Sequence, residues 1–155
     1  VGGGGLAATA AAAVVPASSR VAARADPRMQ KLEVALLKRL PMMHPRHVAN
    51  TLWSRARFGT GAGDDVVKKA GREVEMRFAT FRPLDLSLVA WAFGTMRRKD
   101  AAALSAVCAA TVAKIDDFRP QELANVLWGI ASVQFRHAKI FGLAAAAVLA
   151  KRDLY

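Results

Sequence analysis

The chain has 155 residues, 54% of them hydrophobic and 7% aromatic, with one cysteine and a formal net charge of +11. That is one domain by length, with enough apolar material for a sizeable core, much of it alanine. A lone Cys108 excludes an internal disulfide framework, and no stretch of eighteen or so strongly apolar, uncharged residues is present to form a membrane span.

Residues 1–27 are rich in glycine, alanine and serine, and Arg20 and Arg24 precede the first acid, Asp26. Small residues with arginine and almost no acid are what an organellar transit peptide is made of; a Gly/Ala tail is the alternative, and neither belongs to the fold. From Arg28 to Leu40, apolar residues fall at helical spacing (Met29, Leu32, Leu36, Leu37, Leu40) and Pro41 ends the helix. This half repeat, 28–41, reads as a second helix without its first.

Three related units follow, at 43–80, 81–117 and 118–155. Registered on Pro45, Pro83 and Pro120, all three tryptophans coincide: Trp53, Trp91 and Trp128 each lie eight residues after the proline. A period of 38 and 37 residues marks stacked repeats. Each unit predicts a helix A from the proline (45–58, 83–97, 120–135) and a helix B behind an Asp or His (64–80, 100–115, 137–151). Proline suits a first helical turn, where its missing N–H has no partner anyway. Connections this short make successive helices antiparallel neighbours. The expected fold is all-α, a short α-solenoid of about three and a half repeats.

Counting from the proline, positions 3, 4, 7, 8 and 11 of helix A are apolar or small: Val48, Ala49, Leu52, Trp53 and Ala56 in the first unit. They share one side of a 3.6-residue helix. This reading puts the tryptophans in the core, between small residues. Cys108, among alanines and valines, reads as a buried, inert thiol.

PQELANVLWGIA at 120–131, with this period, closely resembles the octotricopeptide and heptatricopeptide repeats, which are related to those of FAST-kinase-domain-like proteins. The similarity covers about residues 28–155. The first unit keeps Pro45, Ala49, Asn50, Leu52 and Trp53, whereas the second has Ser87, Leu88 and Ala90 at the matching places. The resemblance implies an RNA-binding solenoid of the mitochondrion or plastid, acting in transcript maturation, stability or translation, or built into an organellar ribosome. Such proteins often carry a RAP domain, of which these residues show no sign, so the chain reads as a fragment or a small member.

If helices A line one surface, the column opposite the buried stripe projects base-reading side chains, about one base per repeat. The candidates are His47, Asn50, Ser54, Asp85, Glu122 and Asn125, with Gly61 at the end of the first column. Residues 1–27 carry only +1 (two Arg less one Asp), which leaves +10 on the repeats. Cations cluster at the A-to-B turns, where stacking would align them into a phosphate-tracking edge: Arg55, Arg57, Arg97, Arg98, Lys99, Arg136 and Lys139. Arg82 and Arg119 are further candidates at the other end of helix A.

Enzymatic chemistry finds little support. His44 and His47 lack a third metal ligand at suitable spacing, Asp116 and Asp117 sit at a helix end, and GTGAGD at 59–64 lacks the strand and Lys-Ser/Thr of a phosphate loop. No cofactor and no metal is expected. The functional expectation is a non-enzymatic binder of single-stranded RNA or rRNA within a larger ribonucleoprotein; the alternative is a protein-interaction scaffold, suggested by Leu88 and Ala92 in the second column.

Overall fold

A computed structural model describes residues 26–58 and 64–150, and Ser18 alone before them. The leader up to residue 25, the glycine-rich residues 59–63 with Gly61, and residues 151–155, which include the expected end of the last helix B at 151, lie outside the described residues.

Seven α-helices are described and no strand. They are α1 (Pro27–Arg39), α2 (Pro45–Phe58), α3 (Asp65–Arg77), α4 (Pro83–Thr95), α5 (Ala101–Ala113), α6 (Pro120–Ser132) and α7 (Ile140–Ala150). Three short 3₁₀ turns (Leu40–Met42, Phe78–Thr80, Ile115–Asp117) precede α2, α4 and α6. Helices α2, α4 and α6 pack side by side as one layer, and α1, α3, α5 and α7 form the other. The molecule is an all-α stack of helix pairs. Helix α1 packs against α3 in the second layer.

The local causes repeat. Prolines occupy the first turns of α2, α4 and α6. In α4 and α6 an acid three residues past the N-cap accepts the cap's backbone N–H: Arg82 N to Asp85 Oδ2 at 3.2 Å, Arg119 N to Glu122 Oε2 at 2.9 Å. Among the second-layer helices, Asp26 caps α1, Asp64 caps α3 and Asp100 caps α5, each accepting first-turn N–H groups. Helices α4 and α6 close in Schellman turns: Arg98 N donates to Phe93 O and Phe135 N to Ile130 O, both at 3.0 Å. The residues that turn the chain, Arg97 and Gln134, hold φ 53° without being glycine.

A second recurring device ties the first two B-to-A linkers to the helix that follows each in the second layer. Arg77 at the end of α3 donates to Met43 O at 2.9 Å, and Lys114 after α5 donates to Phe81 O at 2.6 Å and Ala79 O at 2.7 Å. Each cation thus satisfies carbonyl oxygens that the 3₁₀ turn leaves without a helical partner. Between the layers lie Leu40, Leu52, Phe81, Leu86, Phe93, Leu104, Phe118 and Ile130, all almost wholly buried. Cys108 is buried among them, and burial pushes its thiol up to about 11.

Candidate nucleic-acid interface

Burial along α2, α4 and α6 sorts each helix into four sides. Positions 3, 7 and 10 after the proline face the second layer; Leu86, Ala90 and Phe93 are all 0% exposed there. Positions 4 and 11 face the next first-layer helix, since Ala49, Ala56, Ser87 and Gly94 are buried, whereas Ala124 and Ala131 of the last such helix are exposed. Positions 2 and 9 face the preceding one: Asp85 and Ala92 are buried, whereas His47 and Ser54 are exposed on α2, the first described helix of this layer. Position 6 is buried as well in α4 and α6, where Val89 and Val126 are 0% exposed, so positions 1, 5, 8 and 12 remain. At about 100° per residue they fall together on the side away from the core.

The tryptophans occupy position 8 and are therefore not core residues. Trp53 and Trp91 are half-buried and Trp128 is 48% exposed. They form a ladder along the outer surface, with ring centroids 6.5 Å apart at 36° between Trp53 and Trp91, and 6.4 Å apart at 25° between Trp91 and Trp128. These separations suit offset aromatic pairs, worth about 0.5–1.5 kcal/mol each. The Arg57 guanidinium lies 5.5 Å from the Trp53 ring centre, a cation–π cap on that rung. Close approach of the helices makes the ladder possible: a Cβ on Gly129 would fall 2.1 Å from Ala90 O, and one on Gly94 would fall 2.7 Å from Gly129 Cα.

The outer strip therefore reads Arg46, Asn50, Trp53 and Arg57 on α2; Leu84, Leu88, Trp91 and Thr95 on α4; Gln121, Asn125, Trp128 and Ser132 on α6. Asn50 is exposed and Asn125 half-buried. Gln121 Nε2 donates to Asn125 Oδ1 at 3.2 Å, which leaves the Asn125 amide N–H groups as donors without a partner among the described residues. Among the base-facing candidates, only these two asparagines stand on the strip. Asp85 is wholly buried and caps its own helix, so it faces no ligand. Glu122 is likewise held at its helix start, and His47 and Ser54 lie on the flank that in later repeats meets a neighbouring helix.

The cationic candidates divide as well. Arg55 is no surface cation: its side chain is 7% exposed and its guanidinium pairs with Glu33 at 2.8 Å and Asp64 at 3.4 Å, pinning α2 to α1 and to the start of α3. Arg98 is mostly buried, 3.8 Å from Asp100. Arg97, Lys99, Arg136 and Lys139 are exposed at the A-to-B turns. Lys99 Nζ donates to Gln134 O at 3.1 Å, so consecutive turns are linked along this edge. Arg97 holds a left-handed backbone, a cost that glycine would avoid. The structure thus carries a cation at a place where backbone economy favours no side chain at all. At the other end, Arg82 and Arg119 are exposed.

Sequence reasoning missed the strip because tryptophan counts as apolar. The available signal was that position 8 lies three and four residues from positions 5 and 12, which are Asn or Leu and Arg, Thr or Ser; such neighbours share a face. Among the described residues no cluster of three His, Cys, Asp or Glu could hold a metal, and no helix is long and apolar enough to cross a membrane.

Comparison with known proteins gives a family. The model of the Tbc2 translation factor, N-terminal domain, matches residues 1–152. No curated protein and no solved structure matches the chain. A match over almost the whole sequence makes this chain a member of the Tbc2 N-terminal domain family, and so a translation-factor domain.

Proposed function

We propose that this translation-factor domain is a non-catalytic binder of single-stranded RNA, or of an exposed rRNA strand, serving organellar translation as part of a ribonucleoprotein assembly. The observation that carries the reading is the outward Trp53–Trp91–Trp128 ladder flanked by Asn50 and Asn125. An aromatic array on the surface, beside amides and below a cationic edge, provides stacking for bases, donors and acceptors for their edges, and charge for phosphates. The octotricopeptide-like repeat pattern supports the same conclusion, as does the +11 charge.

Rung spacing favours an unpaired strand. Successive rings stand 6.4–6.5 Å apart, about twice the ~3.4 Å rise of stacked bases in a duplex strand. A strand that follows the ladder must unstack, one base to a rung. If Arg57, Arg97, Lys99, Arg136 and Lys139 each neutralise one phosphate, the logarithm of affinity falls with log salt at a slope of about −3.5, at about −0.7 per contact for single strands. Equilibrium binding of short single-stranded RNA across a salt series, with duplex RNA as control, tests this. A flat salt response, or preference for the duplex, overturns it. Leu84 and Leu88 beside Trp91 favour one other reading, a scaffold that seats an apolar partner helix. Absence of RNA binding even at low salt would select that scaffold.

A further inference from the structure

The outer strip is not uniform. Around Trp53 stand Arg46 and Asn50, and around Trp128 stand Gln121 and Asn125; around Trp91, at the same two places, stand Leu84 and Leu88. Leu84 is 38% exposed and Leu88 half-buried, so both contribute surface to the strip without a donor or acceptor. The difference lies in hydrogen-bonding capacity, because leucine and asparagine are of similar size and the ladder is continuous through all three rungs.

Resting on the RNA-binding reading above, we infer that the strip reads three consecutive nucleotides in a read–skip–read pattern. Asn50 and Asn125 discriminate the outer two bases by hydrogen bonds, and the middle base is accepted by Trp91, Leu84 and Leu88 whatever its identity. Stacking on an aromatic face tolerates every base, whereas an amide facing a base edge separates bases by the pattern of donors and acceptors it meets. The two asparagines also differ from each other. Asn125 Oδ1 already accepts from Gln121 Nε2, so its free N–H groups favour a base edge rich in acceptors. The Asn50 side chain makes no hydrogen bond with a described residue and keeps both its oxygen and its nitrogen for the ligand, as paired recognition of adenine requires. The site therefore takes a short single-stranded RNA whose first and third bases matter and whose second does not.

The test uses the full chain and every RNA triplet embedded between abasic nucleotides, which fixes the register on the ladder. Relative affinities are read by competition. At the positions governed by Asn50 and Asn125, best and worst bases should differ roughly five- to 150-fold, the range of a well-made base contact; at the middle position the spread should stay below about threefold. Leu88→Asn should raise the middle spread to that of its neighbours. Leu84→Gln, at a more exposed site, makes the same change if Leu88→Asn does not fold. Asn125→Asp, which exchanges donors for acceptors, should move the preference at its position toward cytosine and its N4 amino group. Discrimination at the middle position as strong as at the outer two, or a flat response at all three, overturns the inference and leaves RNA binding standing. If no triplet binds at low salt, the underlying reading falls with it.

Discussion

Gly129→Ala tests the geometry on which the ladder depends. A Cβ at this position would lie 2.1 Å from Ala90 O, 2.5 Å from Ala90 C and 3.1 Å from Trp91 N. Ordinary contact begins at 3.4 Å, so the shortfall against the oxygen is 1.3 Å (3.4 less 2.1), and the obstacle is backbone that no rotamer change can move aside. Alanine gains about 1 kcal/mol of helix propensity over glycine. Overpacking a tight contact costs about 1–3 kcal/mol, and more where the neighbour cannot yield. With the backbone of α4 as that neighbour, the upper end of the cost applies, leaving a net loss of about 2 kcal/mol. For a chain of this length that lowers Tm by roughly 4–8 °C. Gly142→Ala is the matched control: a Cβ there meets nothing within 4 Å, and it should stabilise by the same propensity gain, up to about 1 kcal/mol and less because Gly142 lies in the first turn of α7. Thermal melts followed by far-UV circular dichroism read both, and near-UV signal reports whether Trp91 and Trp128 have separated. If Gly129→Ala melts at or above the parent with the tryptophan signal intact, α4 and α6 are not in backbone contact, and the derivation of the ladder fails.

Three more outcomes follow from the same structure. Trp128→Ala should cost about 2 kcal/mol, because the ring is 48% exposed, whereas Phe93→Ala, fully buried, should cost about 4 kcal/mol; urea unfolding ranks the two, and the reverse order would return the tryptophans to the core. Gln134→Gly should stabilise by about 1 kcal/mol in the same assay, since glycine meets φ 53° without a steric penalty. Cys108 should resist thiol reagents at pH 8 in the native protein and react once unfolded. Burial raises its pKa from 9.0 to about 11, so between those values the unfolded chain has lost a proton that the native one keeps. Stability should therefore fall as pH rises through that window, and a Cys108→Ala variant should lack this component.

The all-helical stack and the helix starts behind Pro45, Pro83, Pro120, Asp64 and Asp100 were legible because they rest on local rules: prolines in first turns, acids at N-caps, connections of a few residues. The ends were not, since α4 stops at Thr95, α6 at Ser132 and α7 begins only at Ile140. The orientation of helix A was not. In the first unit, position 10, which faces the second layer, holds Arg55, and a charged residue there disguises the stripe that Phe93 and Ile130 make plain in the other two. The pairing of Arg55 with Glu33 and Asp64, one of them in another unit, helps to compensate its burial. With that position obscured, tryptophan at position 8 looked like the natural centre of an apolar face. The same error drew Asp85 into the base-reading column, although its spacing from Arg82 was that of a helix-capping acid. Asn50 and Asn125 stayed on the surface because position 5 lies outward under either orientation. Arg77 and Lys114 escaped notice since their partners, Met43 O and Phe81 O, are 34 and 33 residues away.

All three tryptophans of the protein belong to the ladder, so tryptophan emission, excited selectively beside the single tyrosine Tyr155, reports on the proposed site. The decisive measurement is a titration of the full chain with short single-stranded RNA at low salt, following tryptophan emission beside an independent binding signal from labelled RNA. Stacked bases should quench emission in step with binding, and heparin, a polyanion without bases, should bind the cationic edge and leave emission largely unchanged. RNA that binds without altering tryptophan emission would lie elsewhere on the molecule, and the ladder would not be its site.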